Sequence, residues 1–206
     1  MEAIADFYVF MLSVVVISLS GVMSPGPLFA VNIAKASKDK RVGLLISLGH
    51  GVVEFPLMLL IYLGFNWFFT LTLVQKTISL LGGFIMIYIG IQMLRTRKEN
   101  EVEAPFLKHS PLVSAILATG ANPYFILWWA TIGAALVTNA ALFGPVAFAI
   151  FSVTHWSCDL LWNTVVSITV FKSKRFWTRK VRNVIFGFCF LTLTGFGAWF
   201  IISTVL

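Results

Sequence analysis

Two histidine–acid pairs carry most of the chemistry available to this chain: His50 with Glu54, and His155 with Asp159. Both lie inside long apolar runs, and Glu54 and Asp159 are the only acids so placed. A carboxylate at mid-bilayer costs roughly 2.5–3.5 kcal/mol, so each needs a compensating partner. A spacing of four residues is one helical turn, which stacks each histidine on the same face as its acid. Ser47 extends the first face, while Ser152 and Asn163 extend the second, so each polar stripe is expected to face a bundle interior. Burial and a histidine one turn away pull a carboxyl's proton affinity in opposite senses, and each pair can therefore hold a mobile proton near neutral pH. That suits proton coupling or recognition of a substrate amine; the alternative is a neutral pair that fixes helix packing. The same four side chains form a mixed nitrogen and oxygen ligand set of the kind a divalent metal-ion transporter or an intramembrane metalloenzyme would use.

The second chemical signal is backbone chemistry. Ser24, Pro25, Gly26 and Pro27 interrupt an otherwise continuous apolar run. Neither proline has an N–H, so the carbonyls of Gly21 and Met23 lose their usual helical donors and the helix is expected to break. Irregular backbone at membrane depth is tolerated only where protein or a water-filled cavity covers it. A new helix start near Leu28, Phe29 and Ala30 offers amide groups to an anion such as a substrate carboxylate, although a proline kink that only shapes packing accounts for the same residues. Asn122 and Pro123 make a similar break, freeing the carbonyl of Thr119, with Asn122 placed to bind substrate or to cap the broken end. Trp67, Trp177 and Trp199 fit interface anchors. Trp156 and Trp162 flank Asp159 and are expected to pack toward lipid, with cation–π contact to a substrate amine as the alternative. No P-loop, dinucleotide fingerprint, serine-nucleophile context or cysteine cluster occurs, which argues against an enzyme or a cofactor site. Cys158 and Cys189 read as small buried apolar residues.

Positioning these groups requires a membrane protein. The chain of 206 residues is 59% hydrophobic and 11% charged, too few polar residues to cover a water-facing globule. Apolar stretches long enough to cross a ~30 Å hydrocarbon core recur throughout, and six spans are expected at 7–36, 42–65, 72–94, 111–138, 142–171 and 183–205. The first is read as retained, since Glu2 and Asp6 stand where a signal peptide carries positive charge. The net charge of +7 does not point to nucleic acid: fourteen of the fifteen lysines and arginines fall in connections one, three and five, and only Lys76 lies elsewhere. By the positive-inside rule those connections are cytoplasmic and both termini face outward, in the cell membrane.

The polar run at 96–109 divides one membrane domain, residues 1–206, into halves at 1–95 and 110–206. Each half opens with a proline-broken span, continues with a span bearing a histidine–acid pair and ends with a glycine-rich span. Three spans per half force opposite orientations, the inverted-repeat layout of many secondary transporters. The spacing is unequal, since Pro27 precedes Glu54 by 27 residues and Pro123 precedes Asp159 by 36.

With six spans, Ser24-Pro25-Gly26-Pro27 early, a basic turn leading to Gly43 and Gly49, and Asn122-Pro123 opening the second half, the sequence resembles the LysE/RhtB family of amino-acid exporters along nearly its whole length. The resemblance implies proton-driven efflux of amino acids or related small metabolites, without a cofactor, by a protein that interacts with its solute, protons and lipid and is compatible with a homo-oligomer. Pro25, Gly26, Pro27, Asn122 and Pro123 carry over as motif positions. The family often has lysine after its Asn-Pro, where this chain has Tyr124. His50, Glu54, His155 and Asp159 rest on the residue argument alone.

Overall fold

The computed structural model describes residues 2–96, 108–176 and 178–205. Among these the chain is entirely helical: α1 (Glu2–Val22), α2 (Pro27–Ala36), α3 (Val42–Leu60), α4 (Asn66–Thr70), α5 (Thr72–Thr96), α6 (Pro111–Gly120), α7 (Pro123–Trp128), α8 (Ala134–Leu142), α9 (Pro145–Lys172) and α10 (Arg179–Val205). A π-type turn over Ile61–Phe65 continues α3, and a second over Trp129–Gly133 joins α7 to α8. Most of the polar 96–109 segment, including Glu99, Glu101 and Glu103, lies outside the described residues, as does Trp177.

The helices group into six passes: α1 with α2, α3, α5, α6 with α7 and α8, α9, and α10. Five stretches are long and apolar enough to cross a bilayer by themselves: Ala5–Val22, Val42–Thr70, Thr72–Gln92, Pro123–Leu142 and Asn183–Thr204. At 28 residues α9 is long enough as well, but Ser152, His155, Asp159, Asn163 and Ser167 dilute its hydropathy, and all five are buried. The expected breaks in the first and fourth passes are present. The unequal halves have a simple origin: α2 ends after 10 residues, whereas the arm after the second break runs 20 residues from Pro123 to Leu142.

Two tight seams join the halves. In α5 and α10, a Cβ on Gly83 would lie 2.8 Å from the Gly197 carbonyl oxygen, and a Cβ on Gly197 would lie 2.7 Å from that of Gly83. Only glycine allows backbones this close. In the other seam, α3 sits between α9 and α6, with Gly43 against the Asn163 carbonyl and Gly49 against the Leu112 carbonyl. Two apolar clusters flank the bundle centre. One contains Ile33, Ala36, Val42, Ile46 and Phe186 near the basic connections; the other contains Val14, Met58, Trp129, Val137 and Phe151. The histidine–acid groups lie between them.

Candidate functional site

The two breaks face each other. Gly26 starts α2 with extended backbone and no side-chain cap, while the Asn122 carboxamide oxygen caps α7 by accepting the Tyr124 N–H at 3.1 Å. A Cβ on Gly26 would come within 3.6 Å of Asn122 Nδ2, so the irregular segments cover one another, as polar backbone at membrane depth requires. Some groups expected to be free are engaged. The Gly21 carbonyl accepts Ser24 N–H at 3.1 Å, the Thr119 carbonyl accepts Asn122 N–H at 3.1 Å, and the Ala30 amide donates to the Gly26 carbonyl at 3.0 Å. The start of α2 therefore offers the amides of Leu28 and Phe29, since Pro27 has none.

The close approach of α3 and α9 merges the two histidine–acid pairs into one cluster. His50 Nε2 lies 3.1 Å from Glu54 Oε1 and 3.5 Å from Asp159 Oδ1. His155 Nε2 lies 3.2 Å from the same Glu54 oxygen and 3.8 Å from Asp159 Oδ2. Glu54 thus bridges two imidazoles from opposite halves. Each outer ring nitrogen meets a hydroxyl: His50 Nδ1 and Thr119 Oγ1 are 2.9 Å apart, and His155 Nδ1 and Ser18 Oγ are 2.7 Å apart. The resulting chain, Thr119–His50–Glu54–His155–Ser18, crosses from α6 to α1, and every member is nearly inaccessible. With Nε2–H donating to the carboxylate, a neutral imidazole accepts the hydroxyl proton at Nδ1, whereas a charged one donates there, so the ring's charge sets the hydroxyl's orientation.

Two acceptors in the cluster have no hydrogen-bond donor: Glu54 Oε2 and Asp159 Oδ2 are buried and unpartnered. Beside them Ser47 and Asn163 donate to the Asp159 carbonyl at 3.3 and 3.0 Å, and Asn32 Nδ2 donates to the Asn163 carbonyl at 2.9 Å and to its side-chain oxygen at 3.1 Å. Ser152, expected on this stripe, donates to the Phe148 carbonyl one turn back.

A cavity of about 90 Å³ joins the breaks to the cluster, with room for several waters. Ser24, Pro25, Gly26, Asn122, His50, Glu54, His155 and Asp159 all line it; Pro27 and Pro123, also expected at the site, are buried but do not line it. Sequence reasoning missed Ser18, the Thr119 hydroxyl, Asn32 and Trp129. Trp129 is fully buried with its ring centroid 5.0 Å from that of His155. The expectation that Trp156 and Trp162 pack toward lipid is corrected: Trp156 donates to the Ser47 carbonyl at 2.9 Å, and Trp162 lines the cavity with an unpartnered indole N–H. Both are amphipathic rings with a donor to place, and Gly51 of α3 leaves space for Trp156. Trp67 and Trp199 are exposed, as anchors should be.

Six passes, two of them broken where they meet a central cavity holding buried acids, define a multi-pass membrane protein built like a solute carrier. The chain belongs to the LysE type translocator family, whose sequence profile matches residues 19–204; it is a membrane translocator. A Bacillus subtilis (strain 168) protein described as "Putative amino acid efflux protein YcgF" is 28% identical to it over 198 residues, which span 92% of this chain and 93% of that protein. No solved structure matches the chain.

Proposed function

We propose that this protein exports amino acids or closely related small metabolites from the cytoplasm in exchange for protons, with connections one, three and five on the cytoplasmic side. The description of the Bacillus subtilis relative supports the solute class, and the Glu54 oxygen shared by His50 and His155 at the cavity wall carries the coupling argument. A substrate ammonium and a proton compete for the same carboxylates, so binding one displaces the other. Either occupant neutralises the acids. With neither, moving unneutralised acids through a low-dielectric barrier is costly, which suppresses slippage. The broken passes give the backbone places to flex as the cavity changes sides, with no cofactor or ATP.

The test is purified protein in liposomes supplied with external radiolabelled amino acids, where an imposed pH gradient drives accumulation that stops when the gradient is collapsed. If no amino acid moved under a gradient, the proposal would fail. One observation favours a second reading, divalent-metal transport: donor atoms of His50, Glu54 and Asp159 lie within 4.8 Å of one another, all buried. Elemental analysis separates the two, because an organic-solute exporter purifies without metal and a metal-handling protein retains about one equivalent.

A further inference from the structure

The walls of the cavity away from the cluster are apolar and largely aromatic: Met86, Tyr124, Phe125, Trp128, Trp162 and Phe196. Among the described residues no lysine or arginine lines it. Apart from the Trp162 indole N–H and scattered hydroxyls, its polar groups sit in two places. Unpartnered acceptors, Glu54 Oε2 and Asp159 Oδ2, are on residues only 1% and 3% exposed, and uncapped donors lie at the start of the ten-residue α2, next to the Asn122 carboxamide.

We infer that the cavity takes a zwitterionic amino acid with a bulky apolar side chain, the ammonium completing Glu54 and Asp159, the carboxylate at the Leu28 and Phe29 amides, and the side chain against the aromatic wall. This rests on the amino-acid reading above and narrows it. A buried acceptor without a donor is costly, and an ammonium supplies three donors. The start of a helix supplies amides and a positive dipole end for the carboxylate. An acidic side chain would bring a second carboxylate into a cavity that already holds two and has no cationic side chain beyond its histidines. A basic side chain would give up its hydration to a wall with no carboxylate, a loss that cation–π contact with the aromatic rings only partly offsets. A small polar side chain would leave the wall uncovered, forgoing the roughly ten- to hundredfold that burying a leucine-sized group contributes.

Counterflow in liposomes without a pH gradient reads binding and reorientation apart from proton coupling. With leucine, phenylalanine, serine, lysine and glutamate as probes, leucine or phenylalanine should exchange with kcat/KM at least tenfold above the other three, a difference of about 1.4 kcal/mol. Phe196→Ala, which strips part of the wall and leaves the cluster intact, should shrink the leucine-to-serine ratio several-fold. If serine, lysine or glutamate exchanged as well as leucine and phenylalanine, or if Phe196→Ala left the ratio unchanged, the specificity inference would be overturned while the exporter reading survived. If none of the five exchanged, the specificity inference would fall, and the exporter reading would then rest on the gradient-driven assay above. The substrate ranking is read on the unmodified protein, so misfolding of the variant does not rescue the inference.

Discussion

Replacing Glu54 with glutamine removes a titratable group while keeping its shape. Oε1 remains able to accept from His50 and His155, now at 3.1 and 3.2 Å from a neutral amide oxygen instead of a carboxylate. Hydrogen bonds to a charged partner contribute about 1.5–3 kcal/mol and neutral ones about 0.5–1.5, so the two together weaken by about 2–3 kcal/mol, enough to lower the melting temperature by several degrees without unfolding the bundle. The transport effect should be far larger. A pH gradient of one unit carries about 1.4 kcal/mol per proton, so one-for-one exchange sustains about a tenfold amino-acid gradient when the membrane potential is clamped at zero. In Glu54→Gln liposomes that ratio should fall to about one. Exchange without a gradient should persist with a raised KM, since Asp159 remains for the ammonium. Asp159→Asn is the parallel measurement. If both variants held the full tenfold gradient with an unaltered pH profile, the acids would be structural and the coupling argument refuted.

Ser18→Ala and Thr119→Val each remove the hydroxyl partner of a histidine, at 2.7 and 2.9 Å. Each should cost about 1–2 kcal/mol and shift the pH profile of efflux in the same direction, because each hydroxyl meets the outer nitrogen of an imidazole that holds Glu54 Oε1; an unmoved profile would mean the hydroxyls only fill space. Gly83→Leu and Gly197→Leu drive a side chain into backbone 2.8 and 2.7 Å away and should lower thermal stability sharply, by more than about 2 kcal/mol, while Gly187→Ala, with nothing within 4 Å, should stay within about 0.5. Cysteines placed at Lys38 and Lys172 should be protected in intact cells from an impermeant thiol reagent and react after permeabilisation; labelling from outside would reverse the proposed orientation.

The breaks were legible because they carry more than one local signal, two prolines around Gly26 in one case and a capping Asn122 before Pro123 in the other; a lone missing N–H does not suffice, since α3 runs on through Pro56. The histidine–acid pairs were legible for a similar reason, since positions four apart on one helix must meet. What crosses between helices was not. That Glu54, and not Asp159, bridges both imidazoles depends on how deeply α3 sits against α9, which Gly43 decides by its approach to the Asn163 carbonyl. Ser18 and Thr119 gave no signal because membrane-helix hydroxyls usually bond a carbonyl in their own preceding turn, as Thr131 and Thr192 do here. Trp156 and Trp162 were misplaced because a tryptophan beside an acid in sequence looks the same whether it faces lipid or a cavity.

The bonds of the central cluster and the glycine seam divide the structure into parts that can move and a part that cannot. His50 of the first half holds Thr119 of the second, and His155 of the second holds Ser18 of the first. Asn32 and Asn163 join the halves in the same way, one turn nearer the basic connections. Each neutral bond is a net of only about 0.5–1.5 kcal/mol, so these contacts can break and re-form as the halves shift. The α5–α10 seam has no such freedom, because sliding either helix carries a side chain into the 2.7–2.8 Å gap at Gly83 and Gly197. Under the proposed exchange, rocking of the halves would turn about α5 and α10 and work against the cross-half bonds around Glu54, where α1, α3, α6 and α9 meet. The side chains proposed to carry the proton lie in the interface that such a rotation would disrupt, so under that proposal a change in their charge would act directly on the equilibrium between inward- and outward-facing states.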